Sequence, residues 1–308
     1  MILPAHRSVC AVVVTYNRAD LLGVCLRALG NQSYAIDRII VVDNASTDHT
    51  ADVLDASPSL DVVRLPSNAG SSGGFAAGIE RAAENQWDLV WVMDDDVEPE
   101  PDALAHLVRQ MEPDVAASGP VKVGSDGQVQ PLHIAQYDLA RMHKTAVVPD
   151  RGETVDVSFL SFVGLLIRGD AARTETPRAD FFIDADDTEY CVRLARHGRL
   201  VGVGASRVVH HNNQAQHTRR VMGRTVMTKG KWRVYYAVRN PLLISSAHAT
   251  PRQWRVSIAI AAVQLALRLP AALIHHRGDV QRWWLAVRGF VDGLRGKSGF
   301  VIAPSDYA

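Results

Sequence analysis

Asp88-Leu89-Val90-Trp91-Val92-Met93-Asp94-Asp95-Asp96 is the stretch that decides the fold of this chain. An apolar run that stops abruptly at charge is the pattern of a strand buried on both faces of a sheet. Three successive carboxylates repel one another unless a cation or hydrogen bonds offset their charge. In extended backbone Asp94 and Asp96 point to one side and Asp95 to the other. Two carboxylates on one side suit a hard divalent ion, Mg2+ or Mn2+, that also takes phosphate oxygens. The competing reading is a solvated acidic turn that caps the helix after Pro99. The strand context weighs against it.

Working outward, the same alternation recurs on both sides of this strand. Residues 9–14 form an apolar run, followed by the polar break Thr15-Tyr16-Asn17 and by apolar residues at helical spacing from Leu21 to Leu29. Residues 38–42 are β-branched and end in Asp43-Asn44, with a helix expected to about Leu54. A short strand is expected at 61–65 and a helix from about Phe75 to Glu84, opened by a Gly/Ser-rich run. After the aspartates comes a helix over 99–110. Residues 120–153 read as mixed strand and loop. An apolar segment at 158–168, an acidic helix start at 180–196 and a β-like run at 200–209 complete this part. Strand and helix alternating in this way imply an α/β fold, a Rossmann-like, mostly parallel sheet flanked by helices. Ligands of such sheets sit outside the carboxyl ends of the strands, which is where Thr15, Asn17, Asp43, Asn44 and the aspartates fall.

The 308 residues are 47% hydrophobic and 21% charged, enough for one large domain plus an appendage. Lys+Arg and Asp+Glu balance at 33 each, so no global field recruits nucleic acid. Cys10, Cys25 and Cys191 are scattered and read as buried free thiols in a reducing compartment. Residues 1–8 are too short and polar for a signal peptide. The apolar stretch at 256–274 is interrupted by Gln264, Arg268 and Pro270, short of an uninterrupted membrane span. It suits a buried helix or one lying in a membrane interface. A boundary near residue 225 divides a catalytic part, 1–225, from a helical, apolar and basic C-terminal region, 226–308.

Three further clusters carry chemistry. Asp184-Ala185-Asp186-Asp187-Thr188-Glu189 opens a helix, where the macrodipole favours anions. Its carboxylates are either simple caps or a general base, and Asp186 or Asp187 could serve as the base. His210-His211 ends a β-like run. Neighbouring strand residues face opposite ways, so one imidazole at most completes a metal site with Asp94 or Asp96. Asn68-Ala69-Gly70-Ser71-Ser72-Gly73-Gly74-Phe75 opens a helix, and its glycines permit close backbone approach to phosphate or sugar. It has neither the spacing nor the lysine of a P-loop.

Together these residues resemble the inverting glycosyltransferases of family 2, which have the GT-A fold. The resemblance covers residues 9–212. It rests on Val13 to Asn17, Val41 to Asp48, Asn68 to Gly70, Asp94 to Asp96 and Asp186 to Tyr190. It implies that Thr15, Asp43 and Asn44 line the nucleotide pocket, that the triplet holds metal and diphosphate, and that Asp187 is the catalytic base. Asp95 then turns toward donor sugar or ribose, and Asn68, Gly73 and Gly74 toward the donor. Within the family the Gly-rich run is similar to that of actinobacterial galactofuranosyltransferases of the initiating type. That implies UDP-galactofuranose as donor, a polyprenyl-diphosphate-linked acceptor, Mn2+ or Mg2+, and a cytoplasmic enzyme peripheral to the inner face of the membrane. The metal-binding histidine is expected at His211, which keeps the ungapped spacing from Asp187. His210 fits with one residue deleted.

Three alternatives stay open at this point. A rhamnosyltransferase using dTDP-rhamnose shares most of these motifs. A nucleotidyltransferase would need a Gly-rich first turn, which Thr15 to Arg18 lacks. A non-catalytic sugar-nucleotide-binding protein would not need Asp186-Asp187. The run Tyr235-Tyr236-Ala237-Val238-Arg239-Asn240 resembles one in lipid-acceptor members, and residues 252–295, with Trp283-Trp284, suit docking on anionic lipid.

Overall fold

The computed structural model describes residues 6–211, 218–221, 224–227, 230–275 and 280–303. Its first strand, Val9–Thr15 (β1), is buried along its whole length because both faces are covered. Val9, Ala11 and Val13 pack in one core with Leu22, Cys25 and Leu29 of Ala19–Gly30 (α1). The opposite face meets a helix through glycines. Arg38–Asp43 (β2), Thr50–Asp55 (α2) and Asp61–Arg64 (β3) come next, then Gly70–Ala83 (α3). A Cβ on Gly78 would stand 2.3 Å from Val12 Cγ1, and one on Gly74 2.5 Å from Val14 Cγ1. Only glycine lets α3 lie this close to the sheet. The helix therefore begins at Gly70, earlier than the sequence pattern suggested, and takes the Gly-rich run into its own first turns.

Leu89–Asp94 (β4) is followed by a short strand, Val97–Pro99 (β5), and by Ala103–Arg109 (α4) and Val115–Gly124 (β6). Ile134–Asp138 (β7), His143–Ala146 (β8), Thr154–Val157 (β9), Phe159–Leu160 (β10) and Leu165–Arg168 (β11) build the middle of the chain. Gly169–Thr174 (α5), Asp186–Leu194 (α6) and Arg199–His210 (β12) follow. The main sheet has the order β3-β2-β1-β4-β11-β6-β12-β5, with β9 also on β12. β1 runs parallel to β2 and β4, β2 to β3, and β6 to β12; β11 is antiparallel to both β4 and β6. This is the mostly parallel, helix-flanked α/β sheet expected from the sequence. Cys10, Cys25 and Cys191 are free and buried.

The chain divides into two compact units. The first contains Met1–Gln136, Thr145–Ala179 and Asp187–Asn212. The second contains Tyr137–Lys144, Asp180–Asp186 and Asn213–Ala308, so the sequence boundary near 225 falls inside it. In the second unit, Thr218–Val221 (β13) and Arg224–Met227 (β14) form an antiparallel pair. Three helices follow, Arg233–His248 (α7), Pro251–His275 (α8) and Val280–Leu294 (α9). Phe182, Tyr235, Tyr236, Leu285 and Ile302 make its core. Arg239 and Asn240 of α7 are fully buried and face backbone carbonyls. Arg239 donates to Gly299 O at 2.6 Å, and Asn240 donates to Phe181 O, Ile183 O and Asp184 O at 3.1, 2.9 and 2.7 Å. These bonds hold a segment in which Phe182, Asp184 and Ala185 all have φ near +65°. Such non-glycine conformations persist only where surrounding structure over-determines them. Among the described residues no helix is long and apolar enough to cross a membrane.

Candidate active site

Parallel strands bring their carboxyl ends to one edge of the sheet. Thr15 ends β1, Asp43 ends β2, Asp94 ends β4 and His210 ends β12. The backbone then does something the strand pattern does not show. After Asp94 the chain turns, and β5 pairs antiparallel with β12, His210 opposite Val97. The N–H of His211 donates to Asp96 O at 2.9 Å. This return places Asp96 Oδ1 3.2 Å from His210 Nε2. His211 goes elsewhere, its Nε2 2.7 Å from Glu98 Oε2.

The aspartates differ in their surroundings. Asp95 and Asp96 are buried and Asp94 is partly buried. Asp95 Oδ2 accepts from the Thr15 hydroxyl at 2.8 Å and from the Tyr16 N–H at 3.2 Å. Arg18 Nη1 donates to Asp95 Oδ1 at 3.3 Å and to Asp96 Oδ2 at 2.5 Å. Burial pushes the Asp95 carboxyl up to about 6 despite the Arg18 charge. Burial, with Asp96 and Asp95 alongside, raises Asp94 well above the carboxylate range. Burial also acts on Asp96, but His210, Arg18 and Lys122 outweigh it and hold Asp96 low. Desolvation lowers His210 although Asp96 opposes the shift. Of the three, Asp96 is the one whose ionised form its surroundings favour, and its Oδ1 faces His210.

Asp96 Oδ1 and His210 Nδ1 are both buried without a hydrogen-bond partner. Asp96 Oδ1 faces His210 Nε2, whereas Nδ1 lies on the other side of the ring; a buried polar atom left unpaired is costly unless a ligand satisfies it. Two ligand atoms of one octahedral ion stand about 3 Å apart when they are neighbours. A carboxylate oxygen and an imidazole nitrogen at 3.2 Å are a fitting donor set for a Mn2+-like ion. Among the described residues, no group of three or more His, Cys, Asp or Glu side chains is gathered as a metal cluster.

The remaining polar residues of this edge shape the rim. Asp43 Oδ1 accepts from Ser46 N at 2.9 Å. Asn17 Oδ1 accepts from Thr47 N at 2.6 Å, which ties the first turn to the second. Asn44 Oδ1 accepts from Ala69 N at 2.8 Å, and Asn68 Oδ1 from Gly70 N at 2.8 Å. Both asparagines thereby fix the start of α3. Gly73 and Gly74 lie buried inside that helix. Asp186 is buried at the start of α6, and Asp187 next to it is partly buried. The Asp187 carboxylate is oriented by Thr188, whose N–H and hydroxyl reach Oδ1 at 2.7 and 3.1 Å.

Two cations of the site did not stand out from the sequence. Arg18 looked like part of a helix start. Lys122 belongs to β6 and is 3% exposed, with Asp94, Asp96 and Asp187 as the charges that act on it. The signal available was a single lysine in the otherwise uncharged run Val115 to Gly124.

A sheet and edge of this kind have the GT-A glycosyltransferase fold. The glycosyl transferase family 2 model matches residues 10–167, and the chain belongs to that family. Galactofuranosyltransferase GlfT1 of Mycolicibacterium smegmatis is 28% identical over 204 residues, covering 63% of this chain and 67% of the relative. The Mycobacterium tuberculosis GlfT1 is 32% identical over the same length and shares. Staphylococcus aureus TarS (residues 1–349), solved with UDP, superposes with a TM-score of 0.58 at 14% identity, over 93% of this chain and 81% of that one. Mannosyltransferase PcManGT of Pyrobaculum calidifontis, solved with GDP-Man and Mn2+, gives 0.52 at 18% identity, over 94% and 88%.

Proposed function

We propose that this glycosyltransferase moves galactofuranose from UDP-galactofuranose to a hydroxyl of a polyprenyl-diphosphate-linked glycan in cell-wall polysaccharide synthesis, with inversion at the anomeric carbon. The observation that carries the reading is the meeting of Asp96, two residues past β4, with His210 at the carboxyl edge of a family 2 sheet. The choice of sugar draws on the similarity to the two mycobacterial galactofuranosyltransferases, and the lipid-linked acceptor on the run from Tyr235 to Asn240.

Asp96 and His210, with Asp94 beside them, would hold a divalent cation, Mn2+ or Mg2+, which when bound offsets the charge of the leaving diphosphate. Arg18 adds a fixed positive charge on the same side, and Thr15 orients Asp95 toward the nucleotide half of the donor. Asp187 takes the proton of the acceptor hydroxyl as its oxygen bonds to the anomeric carbon and the bond to the diphosphate breaks. Thr188 keeps the carboxylate turned for that transfer. Lipid contact is assigned to the second unit. Val256, Val263 and Leu267 of α8 and Trp284 of α9 are exposed, as a helix lying on a membrane surface requires.

The test is nucleotide release and product formation with UDP-galactofuranose, dTDP-rhamnose and GDP-mannose, each with Mn2+ and a polyprenyl-diphosphate disaccharide. Galactofuranosyl product from the first donor alone is expected. Asp187→Asn is expected to cut transfer at least 1,000-fold, on the order of a lost general base and its field, with UDP affinity within three-fold. Product from dTDP-rhamnose instead would replace the donor assignment, and near-normal turnover of Asp187→Asn would remove the base.

A further inference from the structure

Lys122 has no counterpart in the reading above. Its side chain is 3% exposed, yet among the described residues it makes no hydrogen bond or ion pair. In the parallel pairing of β6 with β12, Lys122 lies beside Val208, and Gly124 beside His210. Paired residues of neighbouring parallel strands project to the same face, and residues two apart share it. Lys122 and His210 therefore project from one face of the sheet at its carboxyl edge. Asp94, Asp96 and Asp187 are the charges that act on the ammonium, all beyond ion-pair distance. Burial draws its pKa down to about 8 against those three carboxylates.

The ammonium of this nearly enclosed residue has three donors, and a ligand that displaces water there must satisfy them. The surrounding carboxylates lie on both sides of the reaction, Asp94 and Asp96 with the leaving group and Asp187 with the acceptor. The group that fills the gap must accept from Lys122 and tolerate carboxylates beside it. A phosphate oxygen accepts from the lysine but cannot donate to a carboxylate beside it. A sugar hydroxyl accepts from the lysine and donates to a carboxylate at the same time.

We propose that Lys122 is a donor-sugar-binding residue, its ammonium donating to a hydroxyl of the glycosyl unit being transferred while a neighbouring carboxylate accepts from the same unit. The proposal rests on the glycosyltransferase reading of this edge but not on the identity of the sugar. It makes Lys122 a determinant of which hydroxyl pattern the site accepts, and it separates sugar recognition from nucleotide recognition.

The experiment is calorimetry on the full chain with Mn2+, comparing UDP with UDP-galactofuranose in the wild type, Lys122→Met and Lys122→Gln. Methionine keeps the length of the side chain and removes its charge; glutamine restores one donor. Expected for Lys122→Met is UDP affinity within three-fold of wild type, UDP-galactofuranose affinity reduced at least ten-fold, and transfer reduced at least 100-fold. Lys122→Gln should recover part of the sugar-dependent affinity. Equal losses for UDP and UDP-galactofuranose, or no loss for either, would overturn the proposal. So would a glutamine variant no better than methionine with both folded. Should the methionine variant not fold, the UDP-against-nucleotide-sugar difference in Lys122→Gln decides alone. If the wild type binds dTDP-rhamnose rather than UDP-galactofuranose, the donor assignment fails. The same comparison, run with dTDP and dTDP-rhamnose, then tests Lys122 independently.

Discussion

Replacing Asn240 with leucine removes the amide while keeping nearly the same shape, and the structure fixes what is lost. Asn240 Nδ2 serves three carbonyls, and its Oδ1 accepts from Arg239 Nε at 2.8 Å. Phe181 O keeps two other donors, the Ile183 N–H at 2.8 Å and Arg239 Nη2 at 3.2 Å, so its loss is small. Ile183 O, Asp184 O and the charged Arg239 Nε lose these bonds. An orphaned buried carbonyl costs about 1–3 kcal/mol and an orphaned charged donor somewhat more, about 4 kcal/mol in all. Relaxation of the positive-φ backbone at Phe182, Asp184 and Ala185 returns about 1 kcal/mol of that. The net is about 3 kcal/mol, or a fall of roughly 5 °C in the melting transition, at about 2.1 cal/mol/K of unfolding entropy per residue over 308 residues. Differential scanning calorimetry of Asn240→Leu against wild type reads it directly. Transfer should fall along with stability, because Asp187 follows Ala185-Asp186 directly in the chain, while UDP affinity stays within two-fold. A shift under about 2 °C would show that the carbonyls find other donors, and the clamp argument would fail.

Other outcomes follow from the acidic edge. Asp95 has its folded pKa raised from 3.8 to about 6, so its ionisation opposes folding as pH rises through that window and the penalty persists above it. With EDTA present, the stability of Asp95→Asn relative to wild type should therefore move in the variant's favour by about 2–3 kcal/mol between pH 4 and pH 7. Urea denaturation at the two pH values checks this, and a move in the opposite direction refutes it. His210→Ala should weaken Mn2+-dependent UDP binding on the order of ten-fold to 100-fold, the range typical of losing a metal-site group. Its UDP binding in EDTA should match wild type, and a loss of equal size there would assign His210 to the nucleotide instead.

Much of the fold was legible in the sequence because burial writes itself into composition. A strand covered on both faces must be apolar throughout, and residues 9–14 and 89–93 are. Parallel strands must end on one side, so the polar residues after each run had to converge. Two short-range features escaped. The Gly-rich run reads as a loop until α3 is seen against Val12 and Val14, because the need for glycine lies in the neighbouring strand rather than in the helix. The strand Val97–Pro99 is too short to carry a periodicity of its own.

The sequence alone determined the sheet, its edge and the acidic triplet, since each depends on local alternation of apolar and polar residues. Tertiary structure decided the pairings. The return of the chain after Asp94 and the register of β12 bring His210 rather than His211 to Asp96. Neighbouring residues of a strand face opposite ways, so the choice between them turns on a single step of register, and that step is set by a strand more than a hundred residues away. Lys122 illustrates the same limit. Its type and strand were readable, but only the pairing of β6 with β12 sets it on the face of His210, among carboxylates from two separate parts of the chain.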